Sequence, residues 1–136
     1  MLRVYSFSCI LSFLIGVTFV TISFAKEIPS NVAARIIVSE GADQGLKGMI
    51  CIAEVLRHRG SIKGFCGYKK NFMKSEPRST WQMADHAWEV SAHTHFTKGA
   101  DHFENIRSFG EPWWAKYCVK TFEYKDHVFY KEMRQG

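Results

Sequence analysis

The sequence predicts an α+β fold, with a helical core followed by a small antiparallel β-sheet in the C-terminal part. Two patterns support this class. In the earlier part of the chain, apolar residues recur at three- and four-residue spacing, which indicates helices. In the last third, β-branched and aromatic residues become frequent and alternate with polar ones, which is typical of strands. Two or three helices followed by such a sheet make an α+β domain.

The first predicted helix begins at Ser30, whose hydroxyl can cap it, and runs to about Glu40. Val32, Ile36 and Glu40 recur every four residues and therefore share one stripe. Because the two apolar residues face the core, we expect Glu40 at the margin of the core. Burial penalises the charged form of a carboxyl group, so a carboxyl placed there keeps its proton to higher pH. That property suits a general acid in glycoside cleavage near neutral pH.

The second predicted helix opens at Asp43 or Gln44 and ends in the basic run 57–59, before Gly60. Its apolar face is wide enough for a central, mostly buried helix. The residues on this face are Leu46, Met49, Ile50, Ile52, Ala53, Val55 and Leu56.

A third helix and three short strands are predicted further along the chain. After a loop over residues 60–78, the run Ser79-Thr-Trp-Gln82 forms a capping-box pattern that marks the start of the helix. The strands are predicted at residues 100–105, 117–124 and 127–130. A turn at Lys125-Asp126 joins the last two into a hairpin.

The first 25 residues are predicted to be a signal peptide. Arg3 provides a basic start, and residues 10–24 are apolar and uncharged. In Ser23-Phe24-Ala25, small residues occupy the two positions that a signal peptidase reads. An uncleaved membrane anchor is the alternative, because the uncharged run 4–25 is about long enough to span a bilayer. Either interpretation predicts an exported protein that works in the periplasm or the cell wall.

Residues 26–136 are predicted to form a single domain that acts as a monomer. With all 13 acidic and 17 of the 18 basic residues, this part carries a formal charge of +4, and only Lys69-Lys70 brings two bases together. Because no arginine-rich tract and no nucleic-acid-binding motif occurs, nucleic acid is not expected as a partner. A modest positive excess suits a protein working near an anionic envelope, and ordinary solubility explains it equally well.

Three cysteines remain after the predicted signal peptide. Export permits one disulfide and leaves one free thiol. Because Cys51 falls inside an apolar helix, Cys66 and Cys118 are the favoured pair, with reduced thiols as the alternative.

The run from Glu40 to Arg59 resembles the opening of a known catalytic domain. It reads Glu40-Gly-Ala-Asp-Gln-Gly-Leu-Lys-Gly48, then an apolar helix over residues 49–56, then Arg57-His58-Arg59. The cell-wall hydrolase family of spore cortex-lytic enzymes, the SleB-like hydrolases, opens with a helix ending in Glu, a short turn, a Gly and an apolar helix ending in Asn-Arg. The spacing from Glu40 to Arg59 fits this pattern without a gap.

The end of the chain resembles the same family, so the resemblance covers nearly all of residues 31–131. Two departures stand out: Gln44 replaces a second Glu that is common in the family, and His58 replaces the Asn before the helix-ending Arg. The middle loop is short and matches poorly. The matching elements are, in order, Gly99-Ala100, His102-Phe103, Asn105, Pro112-Trp113-Trp114-Ala115 and His127-Val128-Phe129-Tyr130.

The resemblance implies a lysozyme-like fold and cleavage of peptidoglycan glycan strands between N-acetylmuramic acid and N-acetylglucosamine, with Glu40 as catalytic acid/base. Most glycoside hydrolases use two carboxyl groups. A lytic transglycosylase needs one, because the substrate's own C6 hydroxyl replaces water as the attacking group. The family favours this route, and a single well-placed Glu agrees with it. A second carboxyl group could come from Asp43, Asp101, Glu104 or Glu111. Each of these could equally be an exposed surface residue.

Six further residues are candidates for binding the glycan strand: Gln44, His102, Asn105, Trp113, His127 and Tyr130. Histidine and asparagine offer hydrogen bonds to sugar hydroxyls and acetamides, and tyrosine offers a ring face and a hydroxyl. Because sugar rings stack on flat aromatic faces, either Trp113 or Trp114 can form the floor of a subsite. The alternative is that His127 and Tyr130 only pack within a hairpin.

No cofactor and no metal are expected. The histidines at positions 93, 95, 102 and 127 raise the alternative of a zinc-dependent amidase or peptidase, but no matched spacing completes a known zinc motif. A non-enzymatic wall-binding protein is a third interpretation, which the two departures from the family pattern keep open.

Overall fold

The computed structural model of the protein describes residues 27–65, 67–69 and 71–133. The predicted signal peptide and its alternative, a membrane anchor, therefore lie outside the described residues, as does Cys66. Within the described ranges, no helix has the length and apolar character needed to cross a bilayer.

The described chain forms a helical core followed by a three-stranded antiparallel sheet, which confirms the predicted α+β class. The α-helices are α1 (Ser30–Gly41), α2 (Gly45–Arg59), α3 (Arg78–Val90) and α4 (Ile106–Phe109). The strands are β1 (His102–Asn105), β2 (Cys118–Tyr124) and β3 (His127–Glu132). Short 3₁₀ turns cover Gly67–Lys69, Asn71–Ser75, Ser91–His93 and Trp113–Tyr117.

The third strand in sequence, β3, lies in the middle of the sheet. It pairs antiparallel with β1 on one side and with β2 on the other, so β1 and β2 form the two edges. In the β1–β3 register Asn105 lies opposite His127 and His102 lies opposite Tyr130. Candidate site residues that are far apart in sequence are therefore neighbours in the sheet.

Helix α2 is the centre of the molecule, as its wide apolar face predicted. Every residue from Gly48 to Leu56 is buried. One side of the helix packs with α1 and α3 in the main core. Its other side meets the sheet through Cys51 and Val55, which share a cluster with Ala100 and Phe129. The sheet is thereby fixed against the helix that follows Glu40 in the chain.

The predicted helix caps are wrong for both α1 and α3. Each helix follows a proline, Pro29 or Pro77, and neither helix has a side-chain cap hydrogen bond. The carbonyl of Pro29 accepts hydrogen bonds from Val32 and Ala33, and that of Pro77 accepts from Thr80. Because the proline carbonyl already accepts these first-turn bonds, Ser30 and Ser79 lie inside their helices and have no capping role. The predicted C-terminal end of α2 is confirmed, with Gly60 in the left-handed conformation at φ +60°.

Gly48 is required by close packing at the start of α2. A Cβ atom at this position would lie 2.4 Å from Cβ of Gln44 and 3.4 Å from Cε1 of Tyr124. We expect Gly48→Ala to destabilise the fold by about 1–3 kcal/mol through overpacking. This loss occurs although alanine favours a helix by about 1 kcal/mol over glycine.

Urea denaturation measures the Gly48→Ala effect, with Ser79→Ala on the exposed surface of α3 as the matched control. The control should change the free energy of unfolding by less than about 0.5 kcal/mol. A Gly48→Ala variant at least as stable as the parent would contradict the packing argument.

The two described cysteines, Cys51 and Cys118, form no disulfide with any described residue. Burial raises the pKa of the Cys51 thiol to about 12, so it stays protonated within the core. Burial, and then the charges of Asp101 and Glu132, raise the pKa of Cys118. Cys66 lies outside the described residues, so its predicted disulfide with Cys118 stays a prediction.

Candidate active site

A cavity of about 810 Å³ opens between the end of α1, the segment that follows α2, and strand β1. All four residues of β1 contribute to its wall. Two residues from the end of α1, Ser39 and Glu40, also line it. The lining residues are Ser39, Glu40, Asp43, Arg59, Gly64, Phe65, Gly67, His102, Phe103, Glu104, Asn105, Ser108, Phe109, Trp114 and His127.

Glu40 lies in the last turn of α1 and is half-buried, at the margin of the core where the sequence stripe placed it. The backbone of Gly67 packs against it. A Cβ atom at Gly67 would lie 3.4 Å from Oε1 of Glu40 and 3.2 Å from Oγ of Ser39. The Ser39 hydroxyl donates to the carbonyl of Ile36, so it is held against the helix. Glu40 therefore lines the cavity, and the backbone at Gly67 packs closely against its carboxyl group.

Strand β1 supplies the facing wall. The side chain of Asn105 accepts a hydrogen bond from the backbone N–H of Ser108 at 2.9 Å and so caps α4. That bond uses the amide oxygen of Asn105, and the NH₂ group is the donor end of the side chain. The backbone N–H of Asn105 donates to Oε1 of the neighbouring Glu104. Asn105 is thereby held in place at the edge of the sheet.

His127 reaches the cavity from β3 and is only 5% exposed. Burial lowers its pKa, an effect partly opposed by the charges of Asp43 and Asp126, so the neutral imidazole is favoured. Its ring packs edge-on against Phe103 at 5.4 Å between centroids. Nδ1 is buried and has no hydrogen-bond partner among the described residues. An unpaired buried nitrogen costs free energy.

Three of the predicted binding residues do not line the cavity. Gln44 is 1% exposed, and its Nε2 donates to Oδ1 of Asp43 at 2.9 Å, so it reaches the cavity only through that carboxylate. Tyr130 is buried and packs edge-on against Trp114. Trp113 is 77% exposed and faces Tyr117. The structure therefore places these three residues outside the cavity lining, and their role in binding stays a prediction.

The 3₁₀ turn at residues 113–117 explains why Trp114, and not Trp113, lines the cavity. It directs two adjacent side chains to different surroundings, so Trp114 lines the cavity and Trp113 faces solvent. Sequence reasoning identified the pair but could not choose between its members. Glu40, His102, Asn105 and His127 are the predicted site residues that the structure brings together.

Two acidic residues that the sequence left undecided also line the cavity. Asp43 follows Glu40 by three residues, about one helical turn. Glu104 follows His102 by two residues in β1, and residues two apart in a strand point to the same face, so the sequence held a sign that Glu104 lies beside His102. Arg59 joins them, with its guanidinium over the ring of Phe65 and a hydrogen bond to the carbonyl of Lys63. Burial lowers the pKa of Arg59. The cavity therefore holds three carboxyl groups and one guanidinium.

No metal centre is apparent in the described part of the chain, where no three side chains among histidine, cysteine, aspartate and glutamate cluster as ligands. His93 and His95 are exposed and lie outside the large cavity. The lining of the large cavity combines carboxyl groups, which can transfer protons, with hydrogen-bonding and aromatic side chains.

The helical core packed against a small antiparallel sheet is the fold of a solved catalytic domain. Among solved structures, the chain matches the catalytic domain of the Bacillus cereus SleB protein with a TM-score of 0.59 and 16% sequence identity. The match covers 77% of this chain and 92% of that domain. It confirms the fold that the sequence resemblance implied. No family profile matches the chain, and no curated protein matches it.

Proposed function

We propose that the protein is a peptidoglycan-cleaving enzyme that cuts the glycan strand between N-acetylmuramic acid and N-acetylglucosamine, with Glu40 as its acid/base. One observation carries the proposal: in a SleB-like fold, Glu40 and the wall formed by His102, Asn105 and His127 line the same cavity. An enzyme for this substrate works outside the cytoplasmic membrane, in agreement with the predicted export by residues 1–25.

The lining of the cavity suits a glycan. The amide of Asn105 and the imidazoles of His102 and His127 offer hydrogen bonds to sugar hydroxyls and acetamide groups. Trp114 offers a flat aromatic face.

The reaction proposed first is lytic transglycosylation. Protonated Glu40 donates its proton to the bridging oxygen, and the bond between that oxygen and C1 of the muramic acid breaks. The C6 hydroxyl of the same muramic acid then attacks C1 and returns its proton to Glu40. The products are a strand with a 1,6-anhydromuramic end and a strand with a free 4-hydroxyl. No external water and no second carboxyl group take part.

Hydrolysis is the second candidate, because Asp43 and Glu104 line the cavity together with Glu40. In that case one of these carboxylates acts as a base on water or as a nucleophile, and the product carries a reducing end. Both candidates use Glu40 as the acid, and they differ in whether a second carboxyl group is essential.

Mass spectrometry of the muropeptides released from purified sacculi separates the two reactions. We expect anhydromuramic ends, and we expect Asp43→Asn and Glu104→Gln each to lower the rate less than about tenfold, since neither then transfers a proton. Reducing ends, together with a loss in either variant as large as that of Glu40→Gln, would establish hydrolysis instead. Peptide cross-links lost from intact glycan strands would contradict both reactions, and binding to sacculi without released muropeptides would point to a wall-binding protein.

A further inference from the structure

Asp101 and His102 form a carboxylate–imidazole pair at the wall of the cavity. Nδ1 of His102 lies 2.7 Å from Oδ1 of Asp101, within the range of a short, charge-assisted hydrogen bond. His102 lines the cavity, whereas Asp101 stands behind it and is absent from the lining. The pair therefore has one member in reach of a ligand and one member that acts only through the first.

The carboxylate of Asp101 is itself held by the sheet. Oδ1 of Asp101 accepts a hydrogen bond from the backbone N–H of Glu132 at 3.0 Å. The backbone N–H of Asp101 donates to the carbonyl of Tyr130 at 2.9 Å. Both partners belong to β3, the central strand. Asp101 is thus held by two hydrogen bonds to the central strand of the sheet, so it presents a positioned acceptor to His102.

The ring of His102 is also fixed by packing. Its centroid lies 5.1 Å from the ring of Trp114, with the planes inclined by 43°. Trp114 in turn packs edge-on against buried Tyr130, at 5.3 Å and 85°. Packing by Trp114 and hydrogen bonding by Asp101 together leave the imidazole little freedom to rotate.

We propose that Asp101 is a positioning residue that holds His102 in the tautomer protonated at Nδ1. When one ring nitrogen of a neutral histidine donates to a carboxylate, the other nitrogen is an acceptor. Nε2 of His102 then accepts a hydrogen bond from a donor on the bound strand, a sugar hydroxyl or an acetamide N–H. The identity of that ligand rests on the proposed function, and the tautomer does not.

The pair therefore sets the polarity of one subsite. With Asp101 present, Nε2 of His102 is an acceptor and selects a hydrogen-bond donor on the ligand. Without the carboxylate, the ring is free to place its proton on Nε2, which turns the acceptor into a donor and mismatches the same ligand group. An equivalent replacement of the aspartate in the Ser-His-Asp triad is known to leave the geometry intact and give the wrong tautomer.

The tautomer is measured by ¹⁵N NMR of the imidazole nitrogens at a pH where His102 is neutral, with the signals assigned by their loss in His102→Gln. We expect the wild-type protein to carry the proton on Nδ1 and Asp101→Ala to shift the population to Nε2. Alanine removes Oδ1, the atom that accepts from both His102 and the N–H of Glu132, whereas asparagine could keep an oxygen in the same place. Thermal unfolding checks that the alanine variant stays folded. Glu123→Gln, at the exposed ion pair with Lys120, is the matched control and should leave the tautomer unchanged.

A wild-type ring protonated at Nε2 would overturn the proposal without any variant being needed. So would an Nδ1 proton that persists in a folded Asp101→Ala protein.

A second experiment measures the binding of a soluble probe, an oligomer of N-acetylglucosamine. We expect Asp101→Ala to weaken its binding about tenfold, the effect of one lost hydrogen bond in a partly buried site. If the probe binds but neither Asp101→Ala nor His102→Gln weakens it, Nε2 has no role in binding and the inference fails at that step. If the wild-type protein binds no glycan and lyses no sacculi, the proposed function fails, and the tautomer measurement still decides the role of Asp101.

Discussion

Glu40→Gln is expected to abolish wall lysis while the protein stays folded. Glutamine has the shape of glutamate but its amide cannot deliver a proton to the leaving oxygen. General acid catalysis contributes a factor of about 10²–10⁴, so we expect the lysis rate to fall by at least that much. A side chain of equal size also keeps the packing against the backbone of Gly67, so the free energy of unfolding should change little.

The loss is measured as the rate at which a suspension of purified sacculi clears, together with the release of muropeptides. Thermal unfolding of the same preparation reports the fold. Glu89→Gln is the matched control, because Glu89 is exposed on α3 and lies outside the cavity. Lysis at the parental rate by a folded Glu40→Gln protein would refute the assignment of Glu40 and, with it, both proposed reactions.

The position of Glu40 could be predicted from sequence because it depends on local geometry. Val32, Ile36 and Glu40 lie on one helical stripe, and the helix carries them to the same side whatever else the chain does. The opposite wall depended on long-range pairing, which places Asn105 beside His127. There the order of family-like motifs, rather than periodicity, gave the prediction.

The sequence was a poor guide where a shift of one residue along the chain changes what a side chain faces or which residue caps a helix. Trp113 and Trp114 are adjacent in a short 3₁₀ turn, and the sequence does not say which of them points inward. Tyr130 belongs to a strand that is buried along most of its length, so its direction depends on which face meets the cavity. The helix caps failed because a proline carbonyl one residue earlier accepted the first-turn hydrogen bonds.

The Asp101–His102 pair shows a different limit. Adjacent residues in a strand point to opposite faces, so sequence spacing argues against contact between them. The contact arises because Asp101 precedes the first residue of β1 and is held to β3 by its own backbone and side chain. Only the paired strands reveal which carboxylate serves the histidine.

Phe129→Ala is expected to cost about 3–5 kcal/mol of unfolding free energy, the usual loss when a buried aromatic ring is removed. Phe129 is 1% exposed and is the largest fully buried side chain among the described residues. It lies opposite Phe103 of β1 and Phe122 of β2 and contacts both rings, so one side chain fixes the central strand to both edges. Domains are stable by about 5–15 kcal/mol, so this loss is a large fraction of the total.

The same substitution should disturb the site, because the ring of Phe129 also packs near His127, at 6.3 Å between centroids. Urea denaturation measures the stability, and Phe129→Leu should lose less because it leaves a smaller cavity. Val119→Ala is the matched control: Val119 is exposed on β2, and its loss should stay within about 0.5 kcal/mol. A Phe129→Ala protein as stable as that control would mean that the sheet is held by its backbone pairing alone. The facing wall of the cavity would then not depend on this cluster of rings.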